Sequence, residues 1–402
     1  MLIFSNQGKS QSHASFHTQR NYFKTGFTEV NNLIVIPAIL NGDTHLNLIL
    51  DTGSPYTLLI DFDYTNDISI KKGRQMTIGG LGQGFELQAY DSRFNHLKIA
   101  AATRDDTHLI LILDSKLKLS KYLGMPVHGI IGFDIMKDFV VEIDYPAKQI
   151  TFYQHNFFYE KKKRKISRFE KIPLEFHQRK PYIRGSIISE NIQIDSARFL
   201  VDTGGWDAVW WFKNSKPNLQ IPARHIADTL GISINGPVTG FRSKTDRFIL
   251  HHFEFEKPTT SFPDSASLTN AVTFEGRNGS VGGEILRRFH VIFDYKNQNM
   301  FIRPNKNFKD DFYYNMSGIK LQKTYTLLPF LEIVYVRPGS PAYHAGIKPG
   351  DFVTSVNGNE IEEGELGWVN ALFKSKPGKK ITISLLRNGN KIVKSFILKD
   401  EL

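Results

Sequence analysis

The chain has 402 residues, 41% of them hydrophobic and 23% charged, enough for two or three domains with ample buried core. It contains no cysteine, which excludes disulfides, thiolate catalysis and cysteine-ligated metal, and no apolar run reaches the roughly 18–20 residues that span a bilayer as a helix. The net charge of +11 is spread along the chain except at Lys161-Lys162-Lys163-Arg164-Lys165, which reads as a solvated connector and not as a nucleic-acid patch.

Residues 1–27 read as a polar N-terminal tail; the apolar start Met1-Leu2-Ile3-Phe4 is too short for a full signal peptide. Leu33 to Leu40 and His45 to Leu50 then flank the turn signal Asn41-Gly42-Asp43, a hairpin whose second strand becomes apolar throughout and so is buried. That strand delivers Asp51 to the interior, and Thr52 and Gly53 turn the chain. Downstream, Gly79, Gly80, Leu81, Gly82, Gln83 and Gly84 place four glycines in six residues. This is too flexible for a strand interior and reads as the tip of a hairpin flap. A phosphate-cradling loop needs a helix next, and Phe85 to Tyr90 has a strand pattern. Leu109 to Leu113 is a buried strand. Ile130-Ile131-Gly132 leads into a short helix, and Phe139 to Tyr145 with Gln149 to Tyr153 forms a closing hairpin. The basic connector, 156–169, follows.

The same order then repeats. A strand ending in Phe199-Leu200-Val201 delivers Asp202, followed by Thr203, Gly204 and Gly205. Gly236 and Gly240 stand at the flap position, Ser280-Val281-Gly282 echoes Ile130 to Gly132, and Val291 to Tyr295 with Asn299 to Ile302 echoes the closing hairpin. Asp51 and Gly132 are 81 positions apart, Asp202 and Gly282 80; Gly132 to Asp144 and Gly282 to Asp294 are both 12. Residues 28–155 and 170–305 are therefore expected to be two copies of one β-rich lobe, related by a pseudo-two-fold axis.

Two aspartates at the ends of buried strands can meet on such an axis. Carboxylates about 3 Å apart cannot both ionise and share a proton. One then activates a water while the other protonates a substrate carbonyl. Thr52 and Thr203 can lock the two loops, and Gly53 and Gly204 let backbone N–H groups approach the carboxylates. Either motif alone reads as a plain strand-to-turn sequence; the pair at matching positions points to catalysis.

Past Gly318 the character changes. Pro338-Gly339-Ser340-Pro341-Ala342 precedes a helix, Lys348-Pro349-Gly350-Asp351 leads into the strand Phe352 to Val356, and Asn357-Gly358 and Asn388-Gly389 are tight turns. Leu366, Val369, Leu372 and Phe373 share one helix face. Residues 318–402 are expected to form a compact third domain. The final Lys399-Asp400-Glu401-Leu402 reads as the polar end of a strand and not as a retention address.

Residues 28–305 resemble the retropepsin-like aspartic proteases, on the two Asp-Thr-Gly loops, the glycine-rich flap and the segments ending in Gly132 and Gly282. Both lobes lie in one chain, as in pepsin-like enzymes. The resemblance implies Asp51 and Asp202 as the dyad and Gly79, Gly80, Leu81, Gly82 and Gly84 as a substrate-binding flap. It further implies an extended peptide or protein substrate, no metal, no cofactor, and a monomer that is an internal pseudo-dimer. The last domain resembles a PDZ domain of the bacterial type, which binds peptides by adding a strand to a sheet edge; Leu327-Leu328-Pro329-Phe330 stands nearest its carboxylate loop. The combination implies the bacterial envelope or periplasm. A rival reading keeps the folds without catalysis, as a peptide-binding scaffold. No His-Glu-x-x-His motif or serine-protease nucleophile loop is present, His251-His252 reads as a strand edge, and Trp206, Trp210 and Trp211 read as core aromatics or, alternatively, as a side-chain pocket.

Overall fold

The computed structural model describes residues 15–60, 70, 72–79, 87–113, 118–190, 192–216, 219–268, 276–323, 329–362 and 366–402. The fold is mainly β. In the first lobe the strands order as Thr28–Val30, Leu33–Leu40, Thr44–Leu50, Gly129–Ile131, Thr57–Ile60, Ala102–Ile112, Leu87–Ile99 and Gln75–Ile78. In the second lobe, Lys180–Ser189, Ile192–Val201, Gly279–Val281, Val209–Trp211, Thr259–Pro263, Gly236–Lys244 and His225–Ser233 follow one another in the same order. Each lobe carries the same parallel ladder beside its aspartate strand, Leu48 opposite Gly129 and Phe199 opposite Gly279.

Close approach explains why those ladders need glycine. A Cβ on Gly129 would lie 2.0 Å from the Leu58 carbonyl oxygen, and one on Gly279 1.9 Å from that of Trp210. One on Gly132 would lie 2.0 Å from the Asp51 carbonyl oxygen.

A third sheet joins the lobes, in the order Tyr22–Gly26, Gln149–Tyr153, Val140–Asp144, Phe289–Asp294, Asn299–Pro304 and Glu170–Pro173. At its centre Val141 opposes Phe293, Glu142 opposes Ile292 and Ile143 opposes Val291. Adding 150 to each first-lobe number maps this ladder onto itself, so the pseudo-two-fold axis passes through the Glu142–Ile292 rung. Buried Phe152, Ile143, Val291, Phe293 and Met300 belong to one core continuous with both lobes.

Two stretches differ from the sequence reading. Tyr22–Gly26, expected within a tail, is an edge strand paired with Gln149–Tyr153, and Phe23 is buried against Phe139 and Phe152. The basic connector forms two helices, His155–Lys161 and Lys163–Ile166. Its Lys165 is not merely solvated: its Nζ lies 2.5 Å from Oε1 of buried Glu142, which also holds His290 Nε2 at 2.5 Å and accepts from Tyr153 Oη at 2.7 Å. Burial opposes ionisation of Glu142, but the hydrogen bonds from His290, Lys165 and Tyr153 outweigh it and hold its pKa down to about 2.

The C-terminal domain has its own core, including Ala342, Leu366, Val369, Phe373, Ile381 and Ile383. Its sheet runs Ile319–Gln322, Leu331–Val336, Phe352–Val356, Lys380–Arg387 and Asn390–Ile397. Ser340 caps the helix Pro341–His344 by accepting from the Tyr343 N–H. The turn into Phe352 is fixed by Asp351, which takes a two-pronged grip from Arg387 at 2.6 and 2.7 Å. No helix among the described residues is long and apolar enough to cross a membrane.

Candidate functional site

Asp51 and Asp202 each follow a buried apolar strand, Thr44–Leu50 and Ile192–Val201. The last ladder bonds carry into the loops, where the Asp51 N–H donates to the Ile131 carbonyl at 2.8 Å and the Asp202 N–H to that of Val281 at 2.9 Å. Both loops then turn with the same bonds. Gly53 N–H donates to Asp51 Oδ1 at 2.7 Å, and Gly204 N–H to Asp202 Oδ1 at 3.0 Å.

The threonines lock the loops reciprocally. Thr52 Oγ1 donates to the Val201 carbonyl at 2.6 Å and accepts from the Thr203 N–H at 3.0 Å. Thr203 Oγ1 donates to the Leu50 carbonyl at 2.6 Å and accepts from the Thr52 N–H at 3.0 Å. Both side chains are fully buried, so each hydroxyl satisfies one donor and one acceptor that water cannot reach. The lock brings the carboxyls together: a Cβ on Gly53 would lie 3.0 Å from Asp51 Oδ1 and 3.2 Å from Asp202 Oδ1, and one on Gly204 2.4 Å from Asp51 Cγ. Both aspartates keep a solvent-facing edge.

Burial, then the charge of Asp202, raises the Asp51 pKa to about 7, against the Gly53 N–H and the amine of Lys180. Burial likewise raises Asp202, against the charges of Arg277 and Lys180. Between the two ionisations the pair carries one proton and one negative charge, a property of the pair and not of either residue.

The sequence reading missed Lys180 and Arg277. Tyr182 pairs with Leu200, which puts Lys180 level with Asp202 at the end of the ladder; the signal was there only once the register was known. Arg277 is buried, donating to the Gly279 carbonyl at 3.2 Å and to Ser280 Oγ at 2.6 Å.

The turns before each lobe's first long strand cross to the opposite loop. Asn31 and Asn32 have φ of 50° and 65°, Gln178 and Arg179 48° and 66°, the geometry of a tight hairpin turn. Asn32 donates to the Trp206 carbonyl at 2.8 Å, while the Arg179 guanidinium sits 5.7 Å from the Tyr56 ring. Of the three tryptophans, Trp211 is core, packed on Phe199. Trp206 and Trp210 are only part-buried and are tied by their indole N–H groups to the Leu230 carbonyl and Asp207.

Gly79 ends the strand Gln75–Ile78, whose Ile78 pairs with Leu87; Gly80, Leu81, Gly82 and Gly84 lie outside the described residues. At the matching place in the second lobe, His225–Ser233 and Gly236–Lys244 form a described hairpin. His251 and His252, in a turn between Arg247–Leu250 and Phe253–Glu256, lie with Glu170 close enough to share a cation. Their Nδ1 atoms are already hydrogen-bonded to each other at 2.7 Å.

Residues 332–387 match the family model described as PDZ domain. The chain carries a PDZ domain. Its sheet has edges at Ile319–Gln322 and Asn390–Ile397, and the first of these is the open edge beside the helix Leu366–Phe373. Residues 327–330, nearest the carboxylate loop by sequence, precede the following strand. Leu327 and Leu328 lie outside the described residues, and Leu331–Val336, which follows, is paired on both sides and presents no free edge. The loop before the open edge is Met316-Ser317-Gly318. There the Ser317 and Gly318 N–H groups donate to Asn315 Oδ1 and the Ile319 N–H to Ser317 Oγ, so side chains already occupy the donors that a chain terminus would use.

The PDZ domain docks on both lobes. Lys320 reaches Asp228 at 3.3 Å and the Thr229 carbonyl at 2.7 Å on the second-lobe hairpin. Asp228 is tied through Arg242 to Asp207, just past the Asp202 loop. Lys323 N–H donates to the Lys121 carbonyl of the first-lobe helix Leu119–Leu123, and a Cβ on Gly124 would lie 2.7 Å from Leu366 Cβ. Asp400 and Glu401 join this contact, with Lys244 on the Asp400 carboxylate and Arg224 donating to the Asp400 and Glu401 carbonyls at 3.0 Å.

Proposed function

We propose that the chain is an aspartic endopeptidase in which Asp51 and Asp202 act as one proton-sharing pair, with the PDZ domain as an accessory peptide-binding module. The observation that carries this reading is the reciprocal threonine lock. It fixes two loops 151 positions apart so that two carboxyls face each other at a solvent opening, against the electrostatic cost of bringing them together. A structural turn needs no such arrangement.

In this mechanism a water between the carboxyls gives a proton to the ionised one and attacks the scissile carbonyl, whose oxygen takes the proton of the other. The tetrahedral intermediate collapses as the pair returns a proton to the leaving nitrogen. No covalent acyl-enzyme forms, and the pair regains its single proton. Substrate lies extended between the pair and the hairpin that follows Gln75–Ile78. A peptide adding to the PDZ edge strand Ile319–Gln322 meets the first-lobe turn at Lys121–Gly124 at the Lys323 end of the groove.

Purified full-length protein is expected to cleave an unstructured protein between pH 3 and 8, with the rate falling as pH rises past about 7, where the pair loses its shared proton. Asp51→Asn and Asp202→Asn should each abolish cleavage. Absence of cleavage across that range leaves the non-catalytic scaffold instead, and cleavage surviving both substitutions rules out Asp51 and Asp202 as the catalytic pair.

A further inference from the structure

The second lobe places two cations against the candidate dyad, and the first lobe places none at the matching positions. Ladder register makes the comparison. Val35 pairs with Ile49 and Tyr182 with Leu200, so the residue level with Asp51 is Leu33 and the residue level with Asp202 is Lys180. Two positions before Gly129 stands Val127; two before Gly279 stands Arg277. Leu33 and Val127 are buried apolar residues of one cluster.

Arg277 is 5% exposed, with its guanidinium 4.9 Å from the centre of the Phe212 ring. Its hydrogen bonds from Nε and Nη2 go to a carbonyl and a hydroxyl, neither of which neutralises it. Lys180 is part-buried. Among the described residues, the carboxylates that act on both cations include Asp51 and Asp202. A proton-sharing pair supplies one negative charge to two cations. A buried charge left without a counter-ion is costly, and a carboxylate entering beside the pair adds a second negative charge against the two cations.

We propose that the cleft at Lys180 and Arg277 binds a carboxylate of the peptide, and that the substrates of this site carry an acidic residue or a chain terminus next to the scissile bond. Lys180, at the solvent-facing end of its strand, makes the first contact; Arg277, held by Gly279 and Ser280, forms the fixed wall behind it. This rests on the peptidase reading for the word substrate, but the carboxylate site itself does not.

The deciding measurement is equilibrium binding of fluorescent peptides to full-length protein carrying Asp51→Asn, which prevents turnover. Three peptides of one sequence are compared: a central Glu with an amidated end, a central Gln with an amidated end, and a central Gln with a free carboxyl end. The Glu peptide, the free-ended peptide or both should bind at least about tenfold tighter than the amidated Gln peptide, with the gap closing at high salt. Adding Lys180→Leu, which installs the first lobe's residue at a part-buried position, should erase the gap; Lys180→Arg should keep it. A gap confined to the free-ended peptide that survives Lys180→Leu belongs to the PDZ groove and overturns the proposal, as does equal binding of all three. If wild-type protein cleaves none of these peptides while the Lys180-dependent gap persists, the peptidase reading falls and the carboxylate site stands.

Discussion

Leu33 and Lys180 stand on the same rung of the same ladder, one level with Asp51 and the other with Asp202. The bonds around them are nearly superposable: the N–H groups of Gly53 and Gly204 on their own carboxyls, the two threonine hydroxyls on each other's strands, and the glycines at 132 and 282 under each loop. The side chains outside that frame are not. The first lobe has buried Leu33 and Val127 at the positions where the second has Lys180 and Arg277. Backbone symmetry is what closes a two-carboxyl site, whereas side-chain asymmetry lets each half treat a bound chain differently. The same contrast recurs on the axis, where Glu142 faces Ile292.

The sharpest way to break the comparison is at the paired glycines. A Cβ on Gly204 would stand 2.4 Å from Asp51 Cγ, whereas one on Gly53 would meet Asp51 Oδ1 at 3.0 Å and Asp202 Oδ1 at 3.2 Å. Gly204→Ala should therefore displace the Asp51 carboxyl and lower kcat/KM by about 100-fold or more, while Gly53→Ala should lose on the order of tenfold. Steady-state cleavage of one peptide by both variants tests this, and equal losses would contradict the stated geometry.

The axis comes next. Glu142 has its pKa depressed, so its stabilisation is complete above the ordinary glutamate range near 4.5 and is lost as pH falls from there toward 2. Glu142→Gln should cost on the order of 3 kcal/mol at pH 7 and almost nothing near pH 2, read by urea unfolding at both values. Its symmetry partner should behave differently: Ile292→Val should cost about 1 kcal/mol at either pH.

The smallest effect belongs to the PDZ contact, which the second lobe makes through Asp228 and the first through Lys121. Lys320→Ala removes a part-buried ion pair and one carbonyl bond. It should lower stability by about 1 kcal/mol while speeding amide exchange in His225–Ser233. Unchanged exchange there would mean that the hairpin is held without the PDZ domain.

What could be read in the sequence follows from how local each signal is. The strands before Asp51 and Asp202 announce themselves by burial, and Gly132 and Gly282 are fixed by sterics that permit nothing larger, so the spacing between them carries the duplication. Tyr22–Gly26 gave no such signal, because its partners at Gln149–Tyr153 lie far along the chain and its exposed residues resemble a tail. Lys165 read as one basic residue among five until the structure put Glu142 beneath it. Lys180 and Arg277 look like ordinary surface charges in the sequence; only the ladder register and the depth of the Gly279 strand bring them to the dyad. The PDZ edge is not legible in the sequence, since both Ile319–Gln322 and Leu331–Val336 have strand patterns and only pairing distinguishes an edge from an interior.

The reciprocal lock also sets a time of birth for the site. Asp51 leaves the ribosome ahead of the second lobe, yet the hydroxyl that holds its loop belongs to Thr203, and the ladder that supports Asp202 runs through Gly279–Val281. The sheet that holds the lobes together is completed only by Asn299–Pro304. A nascent chain therefore carries one carboxyl of the pair without the other's support until Asn299–Pro304 has emerged. The proposed chemistry is thus withheld from the emerging chain by the order in which the two halves are translated.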